Sequence, residues 1–117
     1  MLTTNQKLWV DALRSGDYQQ ATNTLESNRG GSFCCLGVAC RVAEKHGVKI
    51  HVTTEGTIEG DSLEDQPEVK EWLGIKHDCG QYDSVGESLT YDNDTLGLNF
   101  KELADTIEAK AYNLFER

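Results

Sequence analysis

The C-terminal segment carries the pattern that most constrains the fold, a stripe of apolar residues at helical spacing. Asn99 precedes the stripe and Glu102 follows three residues later, which is the spacing of a capping box. The pattern predicts one amphipathic helix over about 100–115 that buries one face against the rest of the chain. The stripe consists of Phe100, Leu103, Ala104, Ile107, Ala111, Leu114 and Phe115.

Two more helices have clear boundaries. The first is predicted over 5–15, where a pair of threonines can cap its start and Gly16 ends it. The other is predicted over 67–73 and begins at Pro67, because proline at the first helical position gives up only an amide that has no helical partner there. Gly74 follows as its stop.

The segment FCCLGVAC (33–40) contains three of the four cysteines and opens a helix predicted over 35–46. At 100° per residue, Cys35 and Ala39 lie on its apolar face, and we expect them to pack against the C-terminal stripe. Gly37 lies on the opposite face, where its small size permits a close neighbour.

The strand pattern is weaker. Segments 48–54 and 56–60 fit a short antiparallel hairpin, and 81–85 with 87–91 fit one or two more strands in an acidic, glycine-rich tract. The expected fold class is therefore α+β, with three to four helices packed on a small antiparallel β-sheet.

The chain has 117 residues, which favours a single domain over 1–117 that buries about two-thirds of its unfolded surface. No signal peptide or membrane-spanning stretch is apparent, and the clustered cysteines do not resemble a secreted disulfide framework. We expect no membrane association and a reducing, cytoplasmic setting.

The net charge of −9 is concentrated in residues 55–102, which hold 13 acidic and 3 basic side chains. Such a field repels phosphates, so direct binding to duplex nucleic acid is not expected. The acidic segment is either a well-hydrated surface or a face that attracts a basic protein partner.

A structural zinc site is not the favoured interpretation of the cysteines. Zinc ligands usually pair as C-x(2–4)-C, whereas the spacing here is CC-x4-C. On one helix Cys35 and Cys40 point roughly 140° apart and cannot share an ion. We expect no metal and no cofactor. The alternative is a site that joins Cys34 or Cys40 to His46, His77 and Cys79.

A nucleophilic thiol is the second chemical possibility. Cys34 and Cys35 lie at a predicted helix N-terminus, which stabilises a thiolate, and they are the candidate catalytic residues. The competing interpretation is that they pack in the core, because free cysteine behaves as a small hydrophobe.

Four residues are candidates for ligand binding. Tyr18, Gln19 and Tyr82 lie in polar segments where an aromatic ring or an amide can reach a ligand. Arg41 is the one basic residue beside the cysteine cluster.

Four blocks, WVDALRSGDYQQ (9–20), FCCLGVAC (33–40), EVKEWLGI (68–75) and FKELADTIE (100–108), carry a family resemblance. Together they resemble a family of small, uncharacterised proteins of tailed phages, cyanophages included. The resemblance spans nearly the whole chain and implies a phage origin and the host cytoplasm as location, but no catalytic residues. The family often has an acidic residue where this chain has Arg41.

The hypothesis with most support is a non-enzymatic accessory protein that blocks or sequesters a host factor, either a protein or a small nucleotide signal. Two alternatives remain open, a small cysteine enzyme or thiol switch, and a minor virion component. Homo-oligomer formation is also open.

Overall fold

The computed structural model describes residues 2–116, and α-helices make up most of the regular structure in that range. A short 3₁₀ helix covers Leu63–Asp65, and two strands, β1 (Gln19–Gln20) and β2 (Ser32–Phe33), have two residues each. The six helices are α1 (Thr4–Ser15), α2 (Cys35–Lys45), α3 (Pro67–Leu73), α4 (Leu89–Asp94), α5 (Phe100–Ala109) and α6 (Ala111–Leu114).

Local capping accounts for the ends of α1, and the predicted bounds are confirmed to within one residue. The Thr3 hydroxyl oxygen accepts a hydrogen bond from the Gln6 amide, and the Gln6 side chain accepts one from the Thr3 amide. Gly16 ends the helix with a left-handed φ of 81°. The same logic holds for α3, which begins at Pro67 and is followed by Gly74 with a φ of 70°.

The predicted C-terminal helix is confirmed at its start and wrong at its end. Asn99 and Glu102 form the expected capping box, but the helix is interrupted at Lys110. Beyond α6, Phe115 is extended and forms an antiparallel bridge with Ile75. Since a bridge requires extended backbone, this pairing prevents the helix from including Phe115.

The prediction of a small antiparallel sheet is wrong. Among the described residues the one sheet is parallel, with Gln19 opposite Ser32 and Gln20 opposite Phe33. The chain does reverse between 48 and 60, but only one antiparallel bridge forms there, between Val52 and Ile58.

A side chain takes the place of a neighbouring strand in this hairpin. The carboxamide of Gln66, which is fully buried, accepts a hydrogen bond from the His51 amide and donates to the carbonyls of His51 and Glu59. The backbone groups that a sheet would pair are thus partly satisfied by a glutamine, and the strands stay short.

The second predicted strand pair, at 81–85 and 87–91, is also absent. Only Gln81 and Ser88 form an antiparallel bridge, after which Ser88 caps α4 by accepting a hydrogen bond from the Tyr91 amide at 3.1 Å. The helix in place of the second strand has no apolar period in its sequence, LTYDND.

Helix α2 lies at the centre of the core and packs against α1, α3, α4 and β2, while α5 packs mainly against α1. Cys35 and Ala39 are buried as predicted, but the main neighbours of α2 are these elements and not the C-terminal stripe of Leu103 and Ile107 against which the two residues were expected to pack. The indole of Trp9 in α1 joins α1 to α2 by donating to the Cys35 carbonyl at 2.9 Å. The buried residues of α2 are Cys35, Leu36, Gly37, Val38, Ala39, Cys40, Val42 and Ala43.

Gly37 allows the closest backbone approach in the core. A Cβ atom placed there would overlap the backbone carbonyl of Leu25 and lie 3.2 Å from the Cβ of Phe33. The same carbonyl accepts a hydrogen bond from the Cys34 amide. A neighbouring segment therefore crosses α2 at a distance that only glycine permits, as the sequence predicts.

Within residues 2–116, every helix is too short or too polar to span a lipid bilayer.

Candidate functional site

The cysteines of the opening motif lie in the core. Cys34, Cys35 and Cys40 are each at most 2% exposed, whereas Cys79 is exposed. Burial raises the pKa of Cys34 to about 12 and raises the pKa of Cys35 and Cys40 well above the ordinary 9.0. These thiols stay protonated at neutral pH, which favours a packing role over a nucleophilic one.

Two of the three histidines contact side chains other than the cysteines. The ring of His46 stacks on Trp72 at 6.2 Å, and His51 pairs with Glu68 at 3.0 Å. In the described part of the chain, 2–116, no three His, Cys, Asp or Glu side chains converge to hold a metal ion.

Arg41, one of the candidate ligand-binding residues, joins α2 to two loops by hydrogen bonds. Its guanidinium donates to the carboxylates of Glu26 and Glu44, at 2.7 and 2.8 Å, and to the Gly56 carbonyl at 2.9 Å. Glu26, which is only 6% exposed, also accepts hydrogen bonds from the amides of Gly31 and Ile58. Three segments of the chain are joined at this pair.

Tyr18 and Gln19 lie near the end of α1 and differ in their surroundings. Tyr18 packs edge-on against Phe33, and Lys45 both donates to its hydroxyl and lies over its ring. The ring also lines a shallow groove of about 410 Å³ beside Phe100 and Lys101. Gln19 is exposed in β1. Among residues 2–116, no hydrogen bond or ion pair joins Tyr18 or Gln19 to Arg41 or to a cysteine thiol.

Tyr82, the fourth candidate, is only 7% exposed. Its hydroxyl donates to the buried carboxylate of Asp92 at 2.6 Å, and Lys110 lies over its ring. The pKa of Tyr82 is raised, first by burial and then by its hydrogen bond to Asp92. This ring supports the loop that follows it and is not open to a ligand.

That loop forms one wall of a groove that the sequence patterns did not reveal. We call it the apolar groove. It has a volume of about 480 Å³, and Val85, Tyr91 and Leu96, which line it, are 80%, 48% and 57% exposed. Its lining residues are Val85, Gly86, Glu87, Tyr91 and Leu96.

Hydrogen bonds hold the loop wall of the apolar groove in place. One carboxylate oxygen of Asp83 accepts from the amides of Val85 and Glu87, at 3.1 and 2.9 Å. The Tyr82 amide donates to the Glu87 carbonyl at 3.0 Å. Gly86 has a φ of 93°, a left-handed conformation that favours glycine. The loop therefore displays Val85 at its tip with a backbone that is internally bonded.

The opposite wall consists of α4 and the turn after it, and hydrogen bonds to the segment around β1 hold it in place. Asn93, which is 1% exposed, donates to the Ala21 carbonyl and accepts from Gln20. The amide of Leu96 donates to the Tyr91 carbonyl at 3.2 Å, so the two apolar side chains of this wall are tied to one turn.

Sequence reasoning missed the apolar groove because its residues share no helical or strand period. The only available indication was that Val85 and Leu96 are isolated large apolar residues, each followed by glycine in a polar, acidic tract. Their convergence depends on the fold of 80–98, which the sequence patterns did not predict.

Comparison with known proteins places the chain in a family. Residues 1–111 match a family described as a domain of unknown function, DUF8296, and the chain belongs to that family. Comparisons with curated proteins and with solved structures gave no match.

Proposed function

We propose that this chain is a non-enzymatic accessory protein of phage type that blocks or sequesters a host protein, and that the host protein docks in the apolar groove. One observation carries the proposal. Among residues 2–116, five large hydrophobic side chains are exposed, and three of them, Val85, Tyr91 and Leu96, line this single groove. Exposed apolar residues that are gathered at one place are typical of a protein-binding surface, whereas scattered ones are not.

The charge distribution supports a basic partner. The groove lies in the segment 55–102, which holds 13 acidic and 3 basic side chains, in a chain of net charge −9. A second copy of the same acidic surface would be repelled, whereas a basic protein surface would be attracted and steered toward the groove.

The buried thiols support binding over catalysis. Cys34 and Cys35 lack the exposure and the low pKa that a nucleophile needs. The phage origin and the host target are supported by the resemblance of the four sequence blocks, and they complete the proposal.

The test begins by identifying the partner at the groove. A photo-crosslinking amino acid is placed at Ser84, an exposed residue next to Val85 in the loop wall of the groove, and in a parallel sample at Glu55, in the 53–57 turn. The protein is produced in host cells. A host protein that crosslinks from Ser84 and not from Glu55 is then purified, and its affinity is measured by calorimetry.

Isosteric variants then decide whether the groove is the docking site. Val85→Thr replaces a methyl group by a hydroxyl at the groove, and Val52→Thr makes the same change at an exposed valine outside it. We expect Val85→Thr to weaken binding by about 1 kcal/mol, or about fivefold, and Val52→Thr to leave it unchanged. Equal affinities for wild type and Val85→Thr would contradict the proposal.

A further inference from the structure

We infer that Glu87 makes the apolar groove selective for a basic peptide segment, in which a lysine or arginine lies beside the apolar side chain that enters the groove. The inference rests on the proposed function and names the chemistry of its partner. It assigns Glu87 the role of a specificity residue.

Glu87 is the one charged residue that lines the apolar groove in the described part of the chain. It shares the groove with Val85, Tyr91 and Leu96, so a ligand that fills the groove places its apolar atoms against these three side chains. Any charged group of the ligand at this point meets a carboxylate. A cation directly beside an apolar anchor fits this arrangement, and an anion does not.

The carboxylate of Glu87 is open to such a cation. Within residues 2–116, no lysine, arginine or histidine lies within ion-pair distance of it. The nearby ammonium of Lys110 lies over the ring of Tyr82, 5.9 Å from its centroid. The Tyr82 hydroxyl is 3.4 Å from one Glu87 oxygen but donates at 2.6 Å to Asp92, so Glu87 receives at most a weak hydrogen bond.

The backbone of Glu87 is held in place before a partner arrives. Its amide donates to Asp83 at 2.9 Å and its carbonyl accepts from the Tyr82 amide at 3.0 Å, so the loop need not become ordered when a cation binds. The remaining entropic cost is that of the side chain, which favours selectivity for charge at this position.

Peptide display tests the inference without knowledge of the natural partner. A library of random 12-residue peptides is panned against the wild-type protein, and clones that also bind the double variant Val85→Thr, Leu96→Thr are removed. The remaining peptides depend on the apolar groove. The same procedure is repeated with Glu87→Gln, which keeps the shape of the side chain and removes its charge.

We expect the wild-type selection to enrich lysine or arginine within two positions of a large apolar residue, and the Glu87→Gln selection to lose that enrichment. Enriched peptides should bind Glu87→Gln about two- to fivefold more weakly than wild type, and this difference should shrink as salt is raised. A Glu64→Gln variant, changed at an acidic residue of the same segment outside the groove, should bind them like wild type.

The possible failures are distinguishable. Groove-dependent peptides that lack basic residues, or that bind Glu87→Gln as tightly as wild type, overturn the role of Glu87 and leave the proposed function standing. If no selected peptide depends on the groove, the docking site itself is wrong and the inference falls with it.

Discussion

The hydroxyl of Tyr82 donates a hydrogen bond to the Oδ2 atom of Asp92 at 2.6 Å, and both residues are buried, at 7% and 2% exposure. Tyr82 begins the loop wall of the apolar groove, and Asp92 lies in α4, which forms the other wall. This bond therefore links the two walls below the surface. A buried contact thus helps to fix the shape of the apolar groove.

Removing the Tyr82 hydroxyl should destabilise the protein. Tyr82→Phe leaves the Asp92 carboxylate buried without its donor, and we expect a loss of about 1–3 kcal/mol in the free energy of unfolding, measured by urea denaturation. Tyr91→Phe is the matched control, because the Tyr91 side chain is 48% exposed, and it should change stability little. Equal losses for the two variants would show that the buried bond has no special role.

Gly37 should not tolerate alanine, although alanine is the better helix former. Gly37→Ala in α2 adds a methyl group that overlaps the Leu25 carbonyl, and we expect a loss of roughly 1–3 kcal/mol in the free energy of unfolding.

Gly47→Ala provides the comparison, because nothing lies within 4 Å of its added Cβ and only its φ of 87° is strained. We expect a loss of about 1 kcal/mol there. Helix propensity alone predicts a gain at Gly37, so a stabilised Gly37→Ala protein would refute the close approach seen in the structure.

Serine substitutions should destabilise the protein at a buried cysteine and not at an exposed one. Cys35→Ser puts a hydroxyl in a fully buried site, where the thiol's acceptor, the Leu89 carbonyl, is 4.0 Å from the sulfur, too far for a hydroxyl to bond. We expect a loss of about 1–3 kcal/mol by thermal or urea denaturation, and almost none for Cys79→Ser, because Cys79 is exposed.

Iodoacetamide labelling supplies an independent readout for the cysteines. At neutral pH the folded protein should react rapidly at Cys79 alone, since the other thiols are buried and their pKa values are raised. Rapid labelling of Cys35 in the folded state would instead support a reactive thiol.

Acid should weaken the junction between Glu26 and Arg41. Burial alone would raise the pKa of Glu26, but hydrogen bonds from the amides of Gly31 and Ile58 and from Arg41 hold it below the usual 4.5. Since the folded pKa is the lower one, the stabilisation is present above pH 4.5 and is lost as the pH falls below that value.

Urea denaturation between pH 6 and pH 3 measures this effect. The difference in unfolding free energy between wild type and Glu26→Gln should be largest at pH 6 and should shrink toward pH 3. Glu108→Gln removes a carboxylate from an exposed ion pair with Arg14 and should show a smaller difference throughout. A pH-independent difference for Glu26→Gln would contradict the assignment.

Local sequence features determined both ends of α1 and α3 and the start of α5. The caps at Thr3 and Asn99, the proline at 67 and the glycines at 16 and 74 act within one turn of the helix they limit, so they can be identified without knowledge of the fold. Burial of Cys35 and Ala39 on the apolar face of α2 follows from the same short-range periodicity. Cys40 points away from that face and is buried as well, because α2 is surrounded by α1, α3, α4 and β2.

Tertiary contacts decided the features that the sequence patterns missed. The Gln66 carboxamide bonds the backbone of His51 and Glu59, and no local pattern indicates that a glutamine will take the place of a strand. Phe115 is excluded from α6 because it pairs with Ile75, forty positions away. The shortness of the strands and the end of α6 depend on partners distant in sequence, and for that reason local propensity could not predict them.

The apolar groove is also a feature that tertiary contacts decided. Val85 and Leu96 are eleven positions apart in a tract without period, and they line one groove because of contacts that depend on the fold. Asp83 bonds the loop internally, and the hydrogen bond from Tyr82 to Asp92 joins the loop to α4. The acidic charge of this region was evident from the sequence, since charge depends on composition alone. A groove, in contrast, depends on which distant side chains are brought together, and only the folded chain brings them together.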